Sequence, residues 1–181
     1  MGDQGAQGLF SPFLRQARMK AAQKWLTGRV LDVGCGSGAL AAFIDANRYV
    51  GFDRDESCIE TARQLFPQHR FMASFPDAGG FDTVVALALI EHLPNPLEEL
   101  RRWAAALEPG GKIVLTTPHK AFRAIHDLGA RIGIFSADAA DEHEEMFDGG
   151  DLAALAQGGG LRLAEYRRFL FGANQLCVMS K

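Results

Sequence analysis

Residues 29 to 38, Arg-Val-Leu-Asp-Val-Gly-Cys-Gly-Ser-Gly, constrain this chain more than any other stretch. Val30, Leu31 and Val33 suit a parallel strand buried on both faces, and Gly34, Gly36 and Gly38 let the backbone turn sharply with no Cβ in the way. Leu40, Phe43 and Ile44 then follow at helical spacing, which predicts a helix from about Ser37. A ligand can therefore rest on bare backbone at a helix N-terminus. The stretch also scans as Gly34-x-Gly36-x-x-Ala39, one form of the dinucleotide fingerprint, so a nicotinamide-dependent oxidoreductase is one reading. Asp32 separates the readings, because a carboxylate at the carboxyl end of the strand, facing the crevice, repels a pyrophosphate and attracts an amino group or a sulfonium.

Strands and helices alternate along the rest of the chain. Ser11-Pro12 predicts the start of a helix over 11–27, with Phe13, Leu14, Ala17, Ala21 and Trp25 at helical spacing and Gly28 as its stop. A second strand ends at Asp53, and Asp55 caps the helix that follows. Asp53 lies 19 residues after Gly34, at a strand tip where a carboxylate can accept hydrogen bonds from both hydroxyls of a ribose. A short third strand covers Arg70 to Ala73, and a fourth covers Phe81 to Leu87. Asn95-Pro96 opens a helix with Leu97, Leu100, Ala104 and Leu107 turned inward and Arg101-Arg102 on the solvent side. Glu108-Pro109-Gly110-Gly111 reads as a turn before a fifth strand, Lys112 to Thr117, and Asp148 or Asp151 starts a helix that ends at Gly158 to Gly160. Leu161 to Phe171 and Gln175 to Met179 form a terminal hairpin. The pattern predicts an α/β fold with a mostly parallel sheet.

Three segments carry a family resemblance. Leu31-Asp32-Val33-Gly34-Cys35-Gly36-Ser37-Gly38 resembles motif I of the class I S-adenosylmethionine-dependent methyltransferases. Ala88-Leu89-Ile90-Glu91-His92-Leu93-Pro94 is similar to the segment after the fourth strand in their small, ubiquinone-biosynthesis-like (methyltransferase type 11) group, in which a Glu-His pair recurs. Glu108 to Gly111 with the strand after it resembles the family's Leu-x-Pro-Gly-Gly segment. The likeness is close over residues 29 to 117 and loose elsewhere. It implies a doubly wound, Rossmann-like seven-stranded sheet, mostly parallel with a C-terminal antiparallel hairpin. It also implies S-adenosyl-L-methionine as cofactor, S-adenosyl-L-homocysteine as product, and a cofactor lying across strands one, two and four.

On that resemblance the cofactor-binding residues are Asp32, Gly34, Cys35, Gly36 and Gly38 of the turn, Asp53 with its neighbour Arg54, and Ala88 and Leu89 beside the methionine part. Arg18, on the N-terminal helix, is a candidate partner for the cofactor's carboxylate. Ser74 and Phe75 fall where the adenine would lie, and here the chain departs from its family, which commonly has an acidic residue after the third strand. A non-catalytic S-adenosylmethionine-binding module is the alternative of a different class.

Methyl transfer from a sulfonium is an in-line displacement on an activated electrophile, so alignment and exclusion of water matter more than reactive side chains. A hydroxyl acceptor would gain from a base with a pKa near 7, and histidine is the natural candidate. His92, His119, His126 and His143 follow strands four and five or lie in the loop beyond, and His69 precedes the third strand. His92 and His119 rank first as catalytic candidates because each directly follows a strand. The acidic run Asp141 to Glu145 lacks the spacing of a metal loop, so no metal is predicted.

The 181 residues, 48% of them hydrophobic, match one domain with a sizeable core. A formal charge of -3 without a basic run argues against nucleic acid or an anionic membrane as partner, leaving a small-molecule methyl acceptor. Three scattered cysteines, Cys35, Cys58 and Cys177, fit a reducing compartment. With neither a signal peptide nor an apolar span in view, the expectation is a cytoplasmic monomer or homodimer. Residues 1–8 are expected to be mobile, and 118–146, with three histidines and many apolar residues, to form a lid or acceptor-site insertion.

Overall fold

The computed structural model describes residues 11–120 and 146–181. Seven strands form one sheet: β1 (Val30–Val33), β2 (Tyr49–Phe52), β3 (Arg70–Met72), β4 (Phe81–Leu87), β5 (Leu107–Pro118), β6 (Arg162–Phe169) and β7 (Asn174–Ser180). Their order is β3-β2-β1-β4-β5-β7-β6, and all neighbours are parallel except β5 with β7 and β7 with β6. The chain thus winds outward from β1 to β3, returns to β4, and winds the other way. A crevice opens at the carboxyl ends of β1 and β4, where the winding reverses.

Helices cover both faces. On one, α1 (Ser11–Ala22) and α2 (Glu56–Leu65) bury Ala21, Ala22, Ile59 and Ala62 against Val30, Tyr49, Val85 and Val114. On the other, α3 (Pro96–Ala105) and α4 (Gly149–Gly158) bring Leu100, Trp103, Leu152 and Ala156 onto Leu31, Val84, Ile113 and Leu115. β1 and β2 are buried along their whole length, which is why their sequences are continuously apolar apart from Asp32. Asp55 caps α2 through Ser57 N–H, and Asp148 and Asp151 close a capping box at α4. No helix among the described residues is long and apolar enough to cross a membrane.

Three local readings need correction. The helix expected from Ser37 is only a 3₁₀ turn, Ala39–Phe43: Gly38 has φ +82°, and Ile44 is already extended. The helix over 11–27 ends at Ala22 and tightens into a 3₁₀ turn, Gln23–Trp25. Gly28 stops it, with φ +63° and Asp82 filling the space a Cβ would need. Glu108 to Gly111 is a bulge inside β5, since the register against β4 jumps from Phe81↔Leu107 to Thr83↔Lys112.

The turn between β6 and β7 holds two non-glycine residues at positive φ, Leu170 at 52° and Phe171 at 53°, and Phe171 is fully exposed. Each such residue costs about 1 kcal/mol. Phe171→Asn should therefore raise stability by roughly 0.5–1 kcal/mol, because asparagine tolerates this backbone. Urea unfolding measures it, and an unchanged midpoint would mean that the turn is not strained in solution.

Candidate cofactor and acceptor site

The glycine turn is fastened to the tip of β2. Gly34 N–H and Cys35 N–H both donate to Phe52 O, at 2.8 and 3.1 Å, and Gly36 N–H donates to Asp53 Oδ2 at 2.8 Å. Asp53 Oδ1 accepts from Asp55 N–H at 3.0 Å. Each carboxylate oxygen takes one backbone hydrogen bond and keeps a lone pair for a ligand hydroxyl. Gly36 has φ +51°, and a Cβ built there would meet nothing within 4 Å. The turn is thus a bare, open cradle beside a half-buried carboxylate, which fits a ribose and the chain attached to it.

The other turn residues do different work. At Gly34 a Cβ would meet Leu89 Cδ2 at 3.0 Å, so Leu89 from the segment after β4 leans over the start of the cradle. Ala88, just before it, holds φ 53° and donates its N–H to Thr116 O at 2.7 Å, a constrained non-glycine backbone beside the crevice. Gly38 faces inward, where Phe71 and Ala62 would crowd a Cβ. The Cys35 side chain packs toward β2, its Sγ 2.9 Å from where a Cβ on Gly51 would stand. Cys35 and Gly38 therefore shape the turn through packing, and of Cys35 only the backbone remains for a ligand.

Asp32 does not face the crevice openly, as the sequence reading had it. It is 4% exposed, and Tyr49 Oη donates to its Oδ2 at 2.7 Å. Burial raises its pKa to about 7, against the Tyr49 hydrogen bond and with help from the Asp53 charge. An acid raised in the native state favours the fold below its unfolded value, 3.8, and that benefit disappears as pH rises to about 7. Asp32→Asn should remove this loss, so the variant gains stability relative to the parent between pH 4 and 8. Parallel urea melts at the two ends would show it, and a pH-independent difference would count against a buried, raised Asp32.

Where the sequence led us to expect the adenine, Phe75 stands edge-on to Phe52, ring centroids 5.5 Å apart, and the Arg102 guanidinium covers it at 4.2 Å. Arg102 is thus not merely solvated charge, and Arg101 donates to Gly158 O from both Nε and Nη2. Arg54 reaches Glu99 of α3 at 2.6 Å, bridging the β2 tip to that helix. Ser74 is exposed. Sequence reasoning missed Arg102 and Glu99; the only signal was their position on the α3 turn nearest Phe75.

At the other end, Arg18 Nε donates to Asn174 Oδ1 at 2.9 Å, tying α1 to β7. His92 is exposed on the 3₁₀ turn Ile90–His92. His119 follows β5 directly, its N–H donating to Ala173 O at 2.9 Å, and it pairs with Phe147. Burial and the Arg168 charge hold its pKa below the ordinary histidine value. Both effects favour the uncharged imidazole, the form that can accept a proton. His69 lies half-buried ahead of β3, away from the crevice, its Nε2 2.9 Å from Ile44 O. His126, His143, the acidic run from Asp141 and most of the expected lid lie outside the described residues.

A methyltransferase-domain family profile matches residues 8–166. The chain is 27% identical over 169 residues to the ubiquinone biosynthesis O-methyltransferase of Coxiella burnetii, covering 84% of this chain and 72% of that one. It is 32% identical over 114 residues, 58% of this chain and 44% of the other, to a trans-aconitate 2-methyltransferase of Rhodopseudomonas palustris. In structure it is similar to the magnesium protoporphyrin IX methyltransferase of Synechocystis PCC 6803 with bound SAH, at a TM-score of 0.74, 18% identity, and coverage of 99% and 90%. With the strand order and the glycine cradle joined to Asp53, these matches place the chain in the methyltransferase-domain family, as a class I S-adenosylmethionine-dependent methyltransferase.

Proposed function

We propose that this enzyme methylates a small molecule that reaches the crevice at the carboxyl ends of β4 and β5. The observation that carries the reading is the open cradle over Gly36, locked to Asp53 at 2.8 Å. Asp53 would take the ribose hydroxyls, with Arg54 beside it. The backbone of Gly34, Cys35 and Gly36 would lie under the methionine chain, Ala88 and Leu89 beside it, and Arg18 would take its carboxylate. Phe75, backed by Arg102 and next to Ser74, would form the adenine wall. The cofactor supplies an activated methyl group, and the protein supplies alignment and a water-poor cavity.

His119 is the better of the two candidate bases, because its neutral state is favoured while His92 is exposed on its turn. The segment over 118–146 is the proposed lid, and one domain over the whole chain, in the cytoplasm, is the organisation we favour. The relatives' names include ubiquinone biosynthesis, trans-aconitate and magnesium protoporphyrin IX, so they point to no common acceptor. The test is a screen of cell extract with methyl-labelled S-adenosylmethionine, read by mass spectrometry. A labelled small molecule is the expected result. Label appearing only on protein or nucleic acid would reject the small-molecule reading.

A further inference from the structure

Beside this site lies a buried acid with no role yet. Glu91, on the 3₁₀ turn after β4, is 1% exposed, and its Oε2 has no hydrogen-bond partner among the described residues. Thr117 of β5 is equally buried and near enough to act on the carboxyl, yet its Oγ1 also lacks a well-aligned partner. Among the described residues, the charged groups that reach Glu91 are His92 on its own turn and Arg18 from α1. Leaving such an oxygen unsatisfied is costly, more so when it is charged, so a fold that retains one calls for an explanation. The position supplies it. Leu89, just before this turn, leans over Gly34, so Glu91 belongs to the segment that borders the cradle.

We propose that Glu91 is the group by which this protein tells S-adenosylmethionine from S-adenosylhomocysteine, ionised opposite the positive sulfonium and protonated opposite the neutral thioether. The inference rests on the cofactor placement above. Burial raises the Glu91 pKa, and among the described residues Arg18 and His92 are the groups acting on it that can carry a compensating charge. A second positive charge, brought by the ligand, favours the carboxylate, and its loss returns the proton from solvent. Charged cofactor is thereby held and neutral product released.

Calorimetric titration of both ligands, in buffers of different ionisation heat and at several pH values, counts the protons exchanged. The wild type should release more protons with S-adenosylmethionine than with S-adenosylhomocysteine, by up to one, where the free acid is largely protonated. Glu91→Gln should abolish that difference and lower the affinity ratio of the two ligands at least fivefold. Glu91→Asp, which keeps a titratable carboxyl, should retain it and covers the case in which the amide variant fails to fold. An equal proton count for both ligands in the wild type overturns the proposal. So does a difference that survives in Glu91→Gln, or one that disappears only in Asp32→Asn. Failure of either ligand to bind the wild type at all would instead take down the cofactor reading beneath it.

Discussion

Asp53→Ala should weaken S-adenosylhomocysteine binding by about 1–3 kcal/mol, or roughly 5- to 150-fold, while the protein stays folded. Two losses act together. The ribose hydroxyls lose a charged acceptor, and Gly36 N–H and Asp55 N–H lose the oxygens that now hold them at 2.8 and 3.0 Å. The second loss frees the cradle itself, so Asp53→Asn should fall between the parent and the alanine variant: it keeps one oxygen for one of the two N–H groups. Isothermal titration of the three proteins gives the series. Equal affinity in all three would move the ribose away from the β2 tip.

Trp103→Ala should cost about 3–5 kcal/mol of stability, the usual range for truncating a large aromatic inside a packed core. Trp103 is fully buried on α3, in the cluster that joins that helix to the sheet and to α4. Its Nε1 has no partner among the described residues, so Trp103→Phe should cost much less: it removes an unsatisfied donor along with some volume. Chemical denaturation of both variants tests the pair. A larger loss for phenylalanine than for alanine would contradict a packing role.

The elements of this fold were readable where one physical signal governed them. Continuous apolar runs marked β1 and β4, the caps Asp55 and Asp148 marked their helices, and alternating strands and helices marked the winding of the sheet. The misreadings share a cause. At Ser37 helical spacing predicted a helix, but the positive φ of Gly38 and the early return to β2 leave room for one 3₁₀ turn. Asp32 was taken to face the crevice because strand position gives the end of a side chain's strand and not its partner; Tyr49 Oη takes it instead. Among the candidate residues, Asp53 and Gly36 stood out in the sequence as a strand-tip carboxylate and a turn glycine, and the structure joins them by a hydrogen bond. Arg102, Glu99 and Glu91 were not, since their meaning comes from contacts between segments far apart in the chain.

The chain leaves the sheet at His119 and returns at Phe147, and these two residues lie paired side by side, with Lys120 N–H donating to Phe147 O at 3.0 Å. Whatever runs between them begins and ends at one clamped doorway. For a segment with fixed, adjacent ends, each doubling of length adds only about 0.6 kcal/mol of closure entropy. The stretch can therefore lengthen, shorten or be exchanged with little strain on β5 or α4. Such a doorway decouples the length of the intervening chain from the geometry of the sheet on either side of it.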